Sequence, residues 1–396
     1  MSNQIVIVGG GGAGIDLAQA LSTRLVSKEH TITLITDKDY YPHYIAALRS
    51  ISSPIGDTEW PESTIIPLDR LFQNDKNAKL VIAKATSIEY QGGVGSGKGS
   101  VITDKGDRIP FDVLAVTTGS TWEAPLDFPS TRKEALQYIH DWQEKIKNAE
   151  GVAIVGGGPV GIGTSAISWK KSKSERTLTS VLVELAGEIR DQYPTKPITI
   201  VHNKPLLISG TYPDKFRRDL ASRLAQRDVQ LILDDSIDVE NTTGNQIITA
   251  KGSRVKADLL IPTRGPKANP ALLESLTPRS ITNSGHADVE ATLQLKGYSH
   301  IFALGDVINW EGEVPQKVKH RGHVPVAADN IVDVLAGREP QAKYKKSFEA
   351  IIVTIGKTGG AAYFGVWWGI TLGSMMVKTL KGKSLFVPMV KKLLGY

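Results

Sequence analysis

Three glycines near the start of the chain have the spacing of a dinucleotide-binding turn. Gly9, Gly11 and Gly14 give the pattern G-x-G-x-x-G, which supplies a tight turn, close backbone approach to a pyrophosphate, and close helix packing. Asp37 follows about 20 residues later, where an acid can accept hydrogen bonds from ribose hydroxyls. We therefore expect a nucleotide site formed by Gly9, Gly10, Gly11, Gly12, Ala13, Gly14 and Asp37.

The same glycine pattern occurs a second time, in the middle of the chain. Gly156, Gly158 and Gly161 repeat the spacing after the apolar run Val152 to Val155. Two such units predict two dinucleotides, FAD held by the protein and NADH or NADPH as the substrate that gives a hydride to the flavin. The alternative is that the second unit is an ordinary turn between a strand and a helix.

The elements around these turns have the patterns that a dinucleotide-binding fold requires. Strands are predicted at Gln4 to Val8 and Thr31 to Ile35, with a helix at Ile15 to Lys28 between them. Two further apolar runs end in glycine motifs: Leu114 to Gly119, which includes Thr118, and Ile301 to Asp306, which includes Gly305. Taken alone, Asp306 would be a turn residue, but beside the other signals it is predicted to bind the cofactor.

Composition excludes several classes of chemistry. The 396 residues include no cysteine, which rules out a redox thiol, a disulfide framework, zinc–thiolate sites and iron–sulfur clusters. The net charge of +6 is mild, and the scattered lysines argue against a nucleic-acid groove. The eight histidines show no metal-binding spacing; His320 and His323 have no acid at ligand spacing, so no metal is expected.

With these motifs in place, the chain resembles two-dinucleotide flavoproteins. It is most similar to the apoptosis-inducing-factor-like, mitochondrion-associated group that includes the ferroptosis suppressor family, and more distantly to type II NADH:quinone oxidoreductases. The resemblance also involves Ala46 to Arg49, Ala303 to Val307 and Leu385 to Val387. It implies that Gly10 to Gly14, Arg49, the backbone near Ala85 and Asp306 hold FAD. It also implies NAD(P)H oxidation with a quinone-type acceptor.

Three residues are candidates for the chemical step. Glu184 would orient the nicotinamide beside the flavin, unless it is only a solvent-facing helix residue. Lys381 matches a family lysine before Leu-Phe-Val and would stabilise reduced flavin or a quinone oxygen, unless it is a solvated tail residue. Phe386 would line the acceptor side or pack in the core.

The second glycine turn is followed by an anomalous segment. In the first unit the acid lies about 20 residues past the last glycine, but the corresponding strand end near His202 lies about 40 residues past Gly161. Removing residues 162–182 would join GGGPVG directly to VELAGEI, which restores the glycine turn and helix start of the family pattern. Three interpretations stay open: a harmless loop, a replacement first turn of the helix, or a translated intron. A genuine insertion would weaken NAD(P)H binding and leave FAD bound.

These observations predict an α/β protein with two Rossmann-like domains and a small C-terminal region. The expected FAD domain comprises residues 1–119 and 285–350, the NAD(P)H domain residues 120–284, and the C-terminal cap residues 351–396. The uncharged run Thr358 to Val377 and the lysines after it favour a tail packed on the body, with contact to an anionic membrane as the alternative. Because a strand begins almost at Met1, we expect a cytoplasmic protein, with peripheral attachment to mitochondria or lipid droplets.

Two other functions compete with quinone reduction. One is reduction of a small iron–sulfur protein, which would require a basic docking face. The other is an FAD-binding protein of cell-death signalling that turns over poorly.

Overall fold

The computed structural model describes residues 3–25, 29–91, 97–156, 179–239, 247–263, 265–310, 313 and 319–396. The strands are β1 Asn3–Val8, β2 His30–Thr36, β3 Tyr40–Pro42, β4 Ile65–Pro67, β5 Ala78–Ile82, β6 Ala85–Gln91, β7 Lys98–Thr103, β8 Arg108–Phe111, β9 Val113–Val116, β10 Ser120–Thr121, β11 Val152–Gly156, β12 Ile198–His202, β13 Val229–Leu233, β14 Ile247–Ile248, β15 Arg254–Val255, β16 Leu259–Thr263, β17 Lys267–Ala268, β18 Ile301–Ala303, β19 Ala350–Ile355, β20 Gly359–Phe364 and β21 Ile370–Leu372. The α-helices are α1 Gly12–Arg24, α2 Tyr44–Ser52, α3 Glu59–Thr64, α4 Arg132–Asn148, α5 Thr179–Gln192, α6 Asp214–Ala225, α7 His320–Leu335, α8 Ser374–Val377 and α9 Val387–Leu393.

The first glycine turn lies at the edge of a five-stranded parallel sheet. Its strand order is β18-β9-β1-β2-β5, which places β1 in the middle. Parallel strands point the same way, so the turn after β1, the end of β2 and the ends of β9 and β18 all lie at one edge. The β-branched residues of the central strands β1 and β9 are buried, since helices α1 and α7 pack together against the sheet.

A second parallel sheet carries Gly156, the first glycine of the second motif. It has the order β13-β12-β11-β16, with Gly156 at the end of β11 beside His202 at the end of β12. The predicted α/β fold with two Rossmann-like units is therefore confirmed. The apolar runs at Gln4 to Val8, Thr31 to Ile35 and Val152 to Val155 agree with β1, β2 and β11 to within a few residues.

Helix α5 joins the second sheet to the C-terminal part of the chain. It packs against β11 on one side, and against α2 and β19 on the others. Strand β19 belongs to a three-stranded antiparallel sheet of order β19-β20-β21. Val390 of the last helix, α9, and Leu394 directly after it are buried in the core of the first sheet, so this part of the tail packs on the body.

Helix α5 approaches the backbone of β19 closely at Gly187. A Cβ at this position would lie 2.6 Å from the carbonyl carbon and from Cα of Ile355 in β19. Alanine would add about 1 kcal/mol of helix propensity, but the clash is with backbone, which cannot rotate away. We expect Gly187→Ala to lower the free energy of unfolding by about 2 kcal/mol in urea denaturation. Gly210→Ala, where a Cβ would meet nothing within 4 Å, is the matched control and should have no effect.

Part of the anomalous segment lies outside the described residues, which resume at Thr179. Helix α5 begins there, so the last four residues that we assigned to the insertion, 179–182, are helical. Leu182 is fully buried, and its Cδ atoms lie close to Gly156 at the end of β11. These four residues are therefore part of the helix that carries Glu184, and a deletion that spares them is the better test of the segment.

The uncharged run near the C-terminus forms β20, β21 and α8. Across the described residues, no helix has both the length and the apolar character that crossing a membrane requires.

Candidate functional site

The first glycine turn is held by direct packing against the ends of β2 and β9. Gly9 has φ +118°, and a Cβ there would lie 2.6 Å from the carbonyl carbon of Thr117. The Thr117 hydroxyl donates hydrogen bonds to the carbonyls of Val8 and Gly9 at 2.9 and 3.0 Å. A Cβ at Gly14 would lie 2.6 Å from that hydroxyl oxygen. The protein's own packing thus requires glycine at both positions.

Gly11 differs from its neighbours because nothing packs against it. A Cβ at Gly11 would meet no atom of the described residues within 4 Å. Gly11 is the N-cap of α1, with no side-chain cap, and the first turn of this helix holds no acidic residue. A helix N-terminus of this kind, with open space in front of it, fits an anionic pyrophosphate. The residues present at this turn therefore fit FAD.

This difference gives a prediction for two single substitutions. We expect Gly11→Ala to leave the free energy of unfolding within about 0.5 kcal/mol of wild type, because the methyl group enters open space. The same methyl group would obstruct the pyrophosphate, so bound FAD per polypeptide should fall by about tenfold. Gly14→Ala should instead destabilise the fold itself. Urea denaturation and the flavin absorbance of the purified variants measure the two effects separately.

The other residues assigned to FAD from the first sheet lie at the same edge. Asp37 directly follows β2 and its carboxylate is half exposed. Ala85 begins β6, and the preceding segment is tied to the end of β2 by a 2.8 Å hydrogen bond from the Ala83 N–H to the Thr36 carbonyl. Thr118 and Gly119 follow β9; the Thr118 hydroxyl donates to the Asn269 carbonyl at 2.5 Å.

Gly305 and Asp306 bring β18 and helix α7 against the first turn of α1. Gly305 has φ +84°, and a Cβ there would lie 2.8 Å from Cβ of Ala13. The Gly305 N–H donates to Nδ1 of His323 at 3.3 Å. Asp306 is partly exposed, with Oδ1 at 3.9 Å from Nε2 of His320. The turn that the sequence predicted at the cofactor is therefore in direct contact with the first glycine turn.

The second glycine turn is only partly described. Gly158 and Gly161 lie outside the described residues, whereas Gly156 ends β11. The Gly156 carbonyl is 3.3 Å from Nδ1 of the buried His202, and burial lowers the pKa of this histidine. Because the carbonyl can only accept, Nδ1 carries the proton, and His202 fixes the Gly156 carbonyl at the end of β11.

Glu184 and Lys381, which are nearly 200 residues apart in the sequence, form a buried ion pair. Nζ of Lys381 donates to Oε1 of Glu184 at 2.5 Å and to the Ile352 carbonyl at 3.0 Å. The same carboxylate oxygen accepts from the N–H and the hydroxyl of Thr354 at 3.0 and 3.1 Å. The two side chains are 13% and 10% exposed, so neither is the solvated surface residue of the alternative interpretation.

A second ion pair lies one helical turn further along α5. Arg49 of α2 binds Glu188 in a bidentate arrangement at 2.7 and 2.8 Å, and both side chains are almost fully buried. Burial raises the pKa of the Glu188 carboxyl, and the Arg49 guanidinium partly offsets this shift. The structure thus places Arg49, which the resemblance assigned to FAD, in a link between α2 and α5.

Phe386 lies at the start of α9, beside the segment that carries Lys381. It has φ +61° and is half-buried. Its neighbours Leu385 and Val387 are buried against Ala46 of α2. The segment is therefore fixed on both sides of Phe386.

Several residues at these sites carried no assigned role at the sequence level. Glu188 follows Glu184 by four residues, which places both on one face of a helix, and this spacing was the available signal. Thr354 gave no signal, since a threonine in a strand is ordinary, and Thr117, directly after β9, was noted only as part of the run Leu114 to Gly119. In the described part of the chain, no group of three or more His, Asp or Glu side chains is arranged to hold a metal ion.

The comparisons with known proteins agree with this architecture. A profile of the family described as pyridine nucleotide-disulphide oxidoreductase matches residues 3–329. FAD-dependent oxidoreductase FVFD30 from Flammulina velutipes is 38% identical to this chain. The matched region covers 84% of this chain and 96% of the Flammulina protein. Ferroptosis suppressor protein 1 from Mus musculus is 27% identical over 97% of this chain and 93% of its own. The resemblance inferred from the sequence is confirmed.

A solved structure shows the same fold. The sulfide:quinone oxidoreductase from Aquifex aeolicus superposes with a TM-score of 0.71, at 18% identity, and covers 99% of this chain and 92% of its own. At this identity the likeness concerns the fold alone, and this chain, which has no cysteine, lacks a redox thiol.

Proposed function

Because this chain belongs to the pyridine nucleotide-disulphide oxidoreductase family and is an FAD-dependent oxidoreductase that uses NAD(P)H, we propose that its electron acceptor is a quinone. The bound flavin would supply the redox chemistry, taking a hydride from the nicotinamide and passing two electrons to the acceptor. Without cysteine, no protein thiol can act as a relay. The acceptor must therefore react with the flavin directly, which suits a planar two-electron acceptor.

The single observation that carries the proposal is the buried ion pair of Glu184 and Lys381. A buried ammonium group can stabilise negative charge that develops on a nearby oxygen, because the surrounding dielectric is low. Glu184 holds this ammonium in place and is itself fixed by Thr354. We propose that Glu184 also orients the nicotinamide, and that Phe386 lines the acceptor side.

The residues proposed to bind the cofactors follow from the same assignment. FAD would be held in a domain of residues 1–119 and 285–350 by the first glycine turn, Asp37, the backbone near Ala85, Thr118, Gly119, Gly305 and Asp306. NAD(P)H would bind the domain of residues 120–284 at Gly156, Gly158 and Gly161, with residues 351–396 as the cap. After β12 the chain continues His202-Asn203-Lys204, with no acid to select NADH, so both nicotinamides should be accepted.

An anaerobic spectrum of the purified protein tests this function. Addition of NADH should bleach the flavin band, and a soluble quinone added next should restore it. Bleaching without restoration would contradict quinone reduction and favour a protein acceptor. A band that NADH and NADPH both leave unchanged would contradict the oxidoreductase assignment itself.

We also propose that the C-terminal cap lies against a membrane, from which a hydrophobic quinone could enter. Trp367 and Trp368, between β20 and β21, are 86% and 93% exposed, and Met375 of α8 is 79% exposed. Tryptophan favours the membrane interface, and the lysines of the tail would favour anionic lipid. The resemblance would place this membrane at mitochondria or lipid droplets, facing the cytoplasm.

Flotation with phosphatidylserine vesicles tests the membrane proposal. The wild-type protein should float with the vesicles, and the Trp367→Ser/Trp368→Ser variant should float about tenfold less; equal flotation would contradict the proposal.

A further inference from the structure

His320 is a buried polar side chain whose hydrogen-bonding groups are unused. The residue is 8% exposed, and neither ring nitrogen has a hydrogen-bond partner among the described residues. The closest charged atom, Oδ1 of Asp306, is 3.9 Å from Nε2, which is too long for a hydrogen bond. Buried polar groups in native proteins almost always have a hydrogen-bond partner. Two unpaired nitrogens on one ring therefore indicate a partner that is not among the described residues.

The position of the ring points to what this partner is. His320 is the first residue of α7, and a Cβ built on Gly305 would lie 3.6 Å from its Nε2 and 2.8 Å from Cβ of Ala13. The imidazole thus lies where the Gly305–Asp306 turn meets the first turn of α1. Both turns are assigned to FAD above, and the glycine turn is assigned to its diphosphate.

The neighbouring His323 has a different role, which separates the two histidines. Nδ1 of His323 accepts the Gly305 N–H, and its ring packs edge-on against Tyr344 at 4.4 Å between centroids. Burial, followed by the influence of His320, lowers the pKa of His323 to about 4, so it is neutral near pH 7. His323 therefore supports the turn from within the protein, and His320 is not needed for that purpose.

We propose that His320 is an FAD-binding residue, whose imidazole forms a hydrogen bond with an oxygen of the ribityl–diphosphate chain. The proposal rests on the assignment of FAD to this edge of the sheet and adds a residue that the glycine motifs do not reveal. An imidazole offers one donor and one acceptor in its neutral form, so it suits both a hydroxyl and a phosphate oxygen.

The rate of FAD release from the holoenzyme tests the proposal. After dilution, the rise of free-flavin fluorescence measures this rate for wild type and for the His320→Leu and His320→Gln variants. Leucine fills the space but removes both polar atoms, so release should be about tenfold faster. Glutamine keeps a donor and an acceptor, and its release rate should stay within about threefold of wild type.

A matched control is available on α4. Nδ1 of His140 also lacks a hydrogen-bond partner among the described residues, yet this helix packs against α2, α3 and β4 rather than beside Gly305. His140→Leu should therefore release FAD at the wild-type rate.

Two results would overturn the proposal. One is a wild-type release rate in His320→Leu; the other is equal acceleration in the leucine and glutamine variants, which would indicate packing alone. The measurement needs no electron transfer. A wild-type protein that retains FAD but is not reduced by NADH or NADPH would therefore contradict the proposed function and leave this inference intact.

Discussion

Replacing Lys381 with methionine is expected to lower turnover with NADH and a soluble quinone by about 100-fold while FAD stays bound. Methionine keeps most of the length of the side chain but removes the ammonium group that Glu184 and the Ile352 carbonyl hold. Removing one preorganised electrostatic group from an active site lowers the turnover rate by a factor of this size. Steady-state kinetics, together with the flavin absorbance of the variant, provide the measurement.

The controls for this experiment separate chemistry from stability. In the single variant the Glu184 carboxylate keeps only the Thr354 donors. This loss of its charged partner is enough to destabilise the fold. The double variant Lys381→Met/Glu184→Gln removes both charges, so it should recover stability but not turnover. Lys383→Met alters an exposed lysine two residues away and should leave turnover unchanged. Ordinary turnover in the double variant would show that the pair has a structural role only.

The second large effect concerns the buried pair of Arg49 and Glu188. Arg49→Met should lower the free energy of unfolding by about 3 to 5 kcal/mol, because it leaves a buried carboxylate without its partner. Arg49→Met/Glu188→Leu replaces both charges by apolar groups of similar size, and most of the loss should be recovered. Urea denaturation of the two variants measures the difference.

The same double variant tests the role that the resemblance gave to Arg49. If the guanidinium also binds FAD, the purified double variant should be stable but should contain less bound flavin than the wild type. If it retains the full amount of flavin, the role of Arg49 is to join α2 to α5. A double variant as unstable as Arg49→Met would contradict the ion-pair argument.

Local pattern was sufficient for the central strands of both nucleotide units and for the first glycine turn. The β-branched run at Ile5 to Val8 and the glycines after it predicted β1 and the turn within one or two residues, because burial and turn chemistry act on neighbours in sequence. The contact between Gly305 and Ala13 was not predicted, but it agrees with the prediction that both motifs serve one cofactor, since parallel strands bring their ends to one edge.

The ion pairs could not be derived in this way. Lys381 and Glu184 are 197 residues apart and Arg49 and Glu188 are 139 apart, and no periodicity connects positions so distant. Resemblance identified Lys381, Glu184 and Arg49 as residues of interest, but their partners emerged only from the packing of α5. His320 was considered only as a metal ligand, because a single histidine at the start of a helix carries no signal for a cofactor.

The packing of α5 limits how this protein can be recombined with its relatives. The helix belongs in sequence to the central nucleotide unit, but Gly187 fits against Ile355 and Glu184 binds Lys381, both in the C-terminal part. A chimera that exchanged the central unit alone would therefore place a foreign helix against unmatched neighbours. An exchange would therefore have to carry the central unit together with residues 351–396 and keep Arg49 of α2 opposite Glu188. Across homologues we expect the residues on the two sides of these contacts to covary.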